Sequence, residues 1–132
     1  MQEKLKKLKE KLAELADLRA VAAVLDWDQM VNMPSGGAAD RGEQIATVEK
    51  ISHKKSTSDE LGQLLEDLAG YAAKLDDDNV DKRLIKVARR NFDKQTKVTS
   101  EFVEEFARAS TIAQSVWEKA KNASDFSMFK PN

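Results

Sequence analysis

Leu25-Asp26-Trp27-Asp28-Gln29, followed by Met33-Pro34-Ser35-Gly36-Gly37, is the one place where a tryptophan, two acids and a Pro/Gly break crowd together. Pro34 has no amide proton and disfavours helix at the residue before it, so a helix carrying Trp27 ends by about Asn32. Ser35-Gly36-Gly37 is then a loop, and a new helix begins at Ala38. The stretch reads as a corner between two helices. Asp26 and Asp28 are two positions apart, which turns them roughly 200° from each other on a helix, so they form no paired-carboxylate site. Trp27 reads as an amphipathic anchor whose indole N–H finds a partner, while one aspartate takes an ion pair from Arg19 or Arg41. The alternative is that these residues line a cleft.

Amphipathic helix extends in both directions. Leu5, Leu8, Leu12 and Leu15 fall on one helical stripe, after which the phase shifts to Leu18, Val21, Ala22 and Leu25. Either two helices meet near Asp17 or one long helix rotates its buried face there. Ala20 to Leu25 is apolar nearly all round, which predicts deeper burial for this second part. Ala38 to about Lys55 reads as a helix turning Ile45, Val48 and Ile51 inward. Thr57-Ser58-Asp59-Glu60 has the Thr-x-x-Glu capping-box pattern ahead of Leu61, Leu64, Leu65, Leu68 and Leu75. Asp76-Asp77-Asp78-Asn79 is a turn, and Val80 to about Lys97 is a helix burying Leu84, Val87, Ala88 and Phe92.

Thr99 or Ser100 caps a last long helix with Phe102, Phe106, Ala109, Ala113, Trp117 and Ala120 as its inward stripe. Phe126 to Phe129 is a short apolar tail, and Pro131 is the kind of residue that opens a helix. That is the pattern of a truncated fold. The whole predicts an all-α bundle of about five or six helices with short connections, forming a single helical domain over 1–132.

Composition agrees with this class. Charged residues make up 34% and aromatics 6%, with five Gly and two Pro, a helical rather than strand-rich profile. The 22 basic and 23 acidic residues are interspersed, so no basic face favours nucleic acid or an acidic membrane. There is no cysteine and no signal-like or membrane-length apolar run, and the expected location is cytoplasmic.

No residue set in the sequence has the pattern of a catalytic or a metal-binding site. A zinc site takes three or four Cys, His or carboxylate ligands, and the sole histidine, His53, is followed by the cations Lys54 and Lys55. His53 reads as an exposed or helix-terminal residue, with a contact to another domain and a metal ligand as alternatives. Counted from Asp76, a calcium loop would need glycine at Asp81 and glutamate at Val87. Ser35-Gly36-Gly37 could cradle an anion, but no Lys-Ser/Thr follows and Asp40 opposes phosphate. No serine sits in a nucleophile elbow.

The combination Leu25 to Gln29, Met33-Pro34-x-Gly36-Gly37, Arg41, Gln44 and His53 resembles the N-terminal region of the thermostable, Taq-type metallocarboxypeptidases. Ala113 to Ala120, Asp125-Phe126 and Phe129-x-Pro131 resemble the same family further along, so the likeness spans nearly the whole chain. Met30 and Val31 stand where the family usually has polar residues, and Thr99 where proline is common. The resemblance implies a longer all-helical enzyme with a deep groove, usually a homodimer. In it a His-Glu-x-x-His helix and a later Glu hold zinc or cobalt, and metal-bound water cleaves the last bond of a peptide.

That motif is absent here, so no cofactor is expected in this fragment and none of the catalytic residues carries over. The implied role is the N-terminal wall of the substrate groove, inactive alone, with peptides and the rest of its own chain as partners. Asp26, Trp27, Asp28, Gln29, Met33, Pro34, Gly36, Gly37 and Arg41 are the residues assigned to that groove or corner. The alternative is a stand-alone helical module that binds partner helices through an exposed apolar stripe.

Overall fold

A computed structural model describes all of residues 1–132 as five α-helices. They are α1 (Gln2–Val31), α2 (Ala38–Ser56), α3 (Asp59–Ala73), α4 (Val80–Gln95) and α5 (Ser100–Asn122), with single 3-10 turns at Ser35–Gly37 and Phe126–Met128. The all-α reading holds. No break occurs near Asp17: α1 is one continuous helix of 30 residues, roughly 45 Å long.

The helices pair in antiparallel fashion along α1, as their cross-links show. Lys4 reaches Asp67 and Lys11 reaches Glu60, which sets α3 against the first half of α1. Glu14 meets Lys55 and Asp28 meets Arg41, which lays α2 along the second half. Lys50 pairs with Glu104 and Glu43 with Arg108, so α5 runs back along α2. At one end, Leu5, Leu8 and Leu15 of α1 close a core with Leu61, Leu65 and Leu68 of α3 and Ile85 and Ala88 of α4. Gly62 leaves space for the Phe92 ring, since a Cβ there would lie 2.9 Å from the ring tip.

Side-chain caps fix where the helices begin. Ser58 caps α3 by accepting from the Leu61 amide, so the cap lies one residue later than the Thr57 box expected. Thr57 instead turns its hydroxyl back onto the His53 carbonyl at the end of α2. Asn79 caps α4 through the amides of Asp81 and Lys82, and Thr99 caps α5 through that of Phe102. The Asp77 and Asp78 carboxylates pair with Lys82 and Arg83, an ordinary solvated turn. Ser124, at φ 53°, ends α5 in the left-handed region while the Asp125 amide donates to the Ala120 carbonyl.

Burial departs from the periodicity in a consistent direction. The second half of α1, expected to be the deeper part, is the open one: Val21, Val24, Met30 and Val31 are exposed. The cause is the absence of neighbours, since α3 and α4 cover only the first half. On α5 the stripe expected inward faces out: Phe102, Phe106 and Trp117 are exposed and Ala109 with them. Of that stripe only Ala120 is buried, and α5 packs instead through Thr111 and Ser115. On α2 Ile45 is buried but Ile51 is exposed, and on α4 Ile85 replaces Val87 in the core.

His53 also departs from expectation. It is buried, with Nε2 donating to the Gln95 carbonyl at 2.9 Å and Nδ1 2.7 Å from the Ser100 hydroxyl. Because a carbonyl only accepts, Nε2 carries a proton, and Nδ1 shares the second hydrogen bond with the Ser100 hydroxyl. The histidine thus ties the end of α2 to the end of α4 and the start of α5.

Two outcomes test this picture. Leu68→Ala should lower stability by about 2–5 kcal/mol, whereas Val24→Ser should stay within about 0.5 kcal/mol, both read by chemical denaturation. Lys11 and Lys7 hydrogen-bond to Glu60 and hold its carboxyl at about 2, below its ordinary 4.5. A lowered folded-state value contributes stability present above 4.5 and lost as pH falls toward 2. Glu60→Gln should flatten the stability-versus-pH curve in that window, and an unchanged slope would remove the assignment.

Candidate functional site

Two features adjoin at the end of α1: the corner into α2 and an open groove between α1 and α5. In the corner the amides of Asn32 and Met33 both return to the Asp28 carbonyl, closing α1. Pro34 then takes extended geometry, and the Gly37 amide closes onto its carbonyl. A Cβ at Gly37 would lie 3.1 Å from the Met33 side chain, so this glycine allows the close approach of the turn. Gly36 has open space around its Cα and meets no such demand.

Arg41, in the second turn of α2, clamps the corner. Its Nη1 donates to the Leu25 carbonyl at 2.6 Å, Nη2 to Asp28 Oδ2 at 2.7 Å and Nε to Gln44 Oε1 at 3.1 Å. One largely buried guanidinium therefore links the last turns of α1 to α2, with planar, charge-assisted geometry that lysine lacks. Arg19 makes no ion pair. Gln29 is buried beneath the corner, where its Nε2 donates to the Thr111 carbonyl of α5 at 2.9 Å. Its Oε1 is buried with no partner.

Trp27 departs from the expected anchor. It is 57% exposed and its indole N–H donates to nothing in the chain. Helical geometry explains this: Asp28 and Gln29 take the positions facing α2 and α5, which turns Trp27 outward. Asp26, on another side of α1 from Asp28, lines the groove.

The groove has a volume of about 530 Å³. Ala22 and Ala23 form the α1 wall, Phe106 and Ala107 the α5 wall, and Ile45 and Thr111 lie between. Arg19, Asp26 and Glu49 supply its charge. Of the residues read from the sequence, the structure joins Asp28, Gln29, Met33, Pro34, Gly37 and Arg41 at the corner and sends Asp26 to the groove. The α5 contribution was missed because its apolar stripe read as core, although Gln114 in the groove belongs to the Ala113–Ala120 run singled out above.

No group of three His, Cys, Asp or Glu side chains is placed to hold a metal ion. Both nitrogens of His53 are already engaged, so the residues present do not fit a zinc site. No helix is long and apolar enough to cross a membrane.

Residues 7–132 match the family model described as carboxypeptidase Taq (M32) metallopeptidase. The chain belongs to that family. Carboxypeptidase 1 of Bacillus subtilis is 27% identical over 120 residues, covering 91% of this chain and 24% of the relative. Thermostable carboxypeptidase 1 of Thermus thermophilus is 28% identical over 120 residues, covering 89% of this chain and 23% of the relative. A crystal structure named BsuCP superposes with a TM-score of 0.90 at 26% identity, over 98% of this chain and 26% of the other. The structure of CHT gives 0.67 at 36% identity over the same shares. The chain thus spans about a quarter of the length of the relatives it matches.

Arg41→Ala should cost about 1–3 kcal/mol, because it strips the clamp and leaves a partly buried Asp28 carboxylate without its cation. Trp27→Ala should change stability by no more than about 0.5 kcal/mol. Thermal unfolding of both variants checks the contrast, and a larger loss at Trp27 would contradict its placement.

Proposed function

We propose that this chain is an N-terminal helical lobe of a metal-dependent carboxypeptidase that removes C-terminal residues from peptides. In this reading the lobe forms part of the wall of the substrate groove and contributes no catalytic or metal-binding group. The observation that carries it is the mismatch of scale. Nearly the whole chain matches a metallopeptidase family, yet it covers only about a quarter of the relatives, both of them carboxypeptidases by name. The donor set supports the same division, since one fully hydrogen-bonded histidine cannot begin a zinc site.

Zinc or cobalt would be held by residues outside this sequence and would supply an activated water. Peptide substrates and a homodimeric enzyme belong to the same reading and rest on the family resemblance, and a cytoplasmic location is proposed with them. A second reading, a stand-alone module for partner helices, is favoured by the exposed apolar faces of α1 and α5.

The test uses the 132-residue chain itself, incubated with an N-terminally blocked peptide and zinc or cobalt. Mass spectrometry should detect no released C-terminal amino acid, and elemental analysis of the purified protein should find no stoichiometric metal. Release that scales with protein concentration and stops on adding a chelator would overturn the proposal.

A further inference from the structure

The groove between the second half of α1 and α5 is a trough with small side chains on both walls. Ala22 and Ala23 on one side and Ala107 and Ser110 on the other let a backbone come close, as interhelical packing requires. Apolar surface continues along the α5 rim, where Phe106, 64% exposed, stacks on the exposed Phe102 with ring centroids 6.2 Å apart. A small-molecule site would show polar groups converging on one point. Here Arg19, Asp26 and Glu49 are spread around the trough, and none of the three makes an ion pair.

The opposite end of the molecule has a different surface. There Lys4, Lys7, Lys9 and Arg89 pair with Asp67, Glu60, Asp81 and Glu66, a charged face suited to water. Along α1 no ion pair involves any residue from Leu15 to Trp27.

The length comparison supplies an occupant. The backbone follows that of a relative almost four times longer, with a TM-score of 0.90 over 98% of this chain. The remaining three-quarters of such a fold must pack on this quarter somewhere. The groove face combines a concave shape with exposed apolar surface and unpaired charge. We propose that this groove is the docking seat for a helix from the remainder of the carboxypeptidase fold. That helix presents a small or apolar face, with Lys or Arg opposite Asp26 and Glu49 and an acid opposite Arg19. The proposal rests on the functional reading above and adds to it the surface and the chemistry of the partner.

The probe is Bacillus subtilis carboxypeptidase 1 lacking the segment aligned with this chain, co-expressed with the tagged 132-residue chain. The chain contains no cysteine, so Ala23→Cys gives a single reporter in the groove wall. A one-to-one complex is expected, with thiol labelling at position 23 slowed at least roughly tenfold. Reversing the rim with Asp26→Lys and Glu49→Lys should weaken the complex at least roughly tenfold while leaving the helical circular dichroism unchanged. A complex indifferent to the rim variant, or one that leaves the thiol fully reactive, would overturn the groove assignment while the functional reading stands.

Light-scattering detection of a homodimer that protects the thiol would assign the groove to a second copy and also overturn it. Should the shortened relative be insoluble, the full-length relative carrying residues 7–132 of this chain, with the same cysteine, replaces it. Labelling there as fast as in the isolated chain counts against the proposal, and slowed labelling supports it. Peptide hydrolysis by the isolated chain would instead sink the functional reading, so the two failures are separable.

Discussion

A single 30-residue helix has to satisfy two unlike sets of neighbours, and the rest of the molecule is arranged by that demand. The first half of α1 sets Leu5, Leu8 and Leu15 into a leucine core closed by α3 and α4, where Leu8, Leu65 and Leu68 have lost essentially all contact with water. Burial of that kind contributes on the order of 2 kcal/mol per side chain and needs no particular direction. The second half meets α2 on one side and little else, so its position depends on directional contacts. Arg41 and Gln29 provide them.

The difference between the two ends runs through the whole burial pattern. The buried polar residues Gln29, Ser52, His53, Ser56, Thr111 and Ser115 all lie on α1, α2 or α5, and none lies on α3 or α4. Small side chains line the approach of α2 and α5: Gly42 faces the Arg108 backbone, where an added Cβ would make ordinary van der Waals contact at 3.6 Å. Close approach with little apolar volume gives a weak hydrophobic contribution. Ile45 and Ala46 supply the buried apolar surface of α2, the hydrogen bond of His53 to Ser100 adds direction, and the partly exposed pairs of Lys50 with Glu104 and Arg108 with Glu43 contribute little more.

The same contrast explains what was legible in the sequence. Helix number, the leucine stripe of α1, the core of α3 and the Pro/Gly corner followed from local rules, because Pro34 and the Leu spacing act within their own segment. Periodicity reports which face of a helix is apolar, and it is silent on whether another element covers that face. Val24, Phe102, Phe106 and Trp117 carry the pattern of core residues yet are largely exposed, since no other helix covers them; Phe102 and Phe106 stack on each other and Trp117 meets Phe129 edge-on. His53 failed in the opposite direction: two lysines follow it, but its partners, Gln95 and Ser100, are remote in sequence. The clamp at Arg41 was half legible. An arginine partner for an aspartate could be anticipated, while the Leu25 carbonyl as its second acceptor could not.

Gln29 shows how the corner and the groove are joined. Its amide nitrogen crosses to the Thr111 carbonyl, so the corner clamped by Arg41 is also tied to the α5 wall of the groove. The Oε1 on the other side of the same amide is buried and unpaired, a state that costs about 1–3 kcal/mol in an otherwise satisfied interior. Local opening should therefore begin at the α1–α5 side, where few apolar contacts resist it, and the leucine core should open last. The recognisable Asp-Trp-Asp-Gln stretch sits at the far end of α1 from the leucine core, where the corner and the groove adjoin. Asp28 and Gln29 fix the corner, Asp26 lines the groove, and Trp27 faces outward with the other uncovered apolar residues.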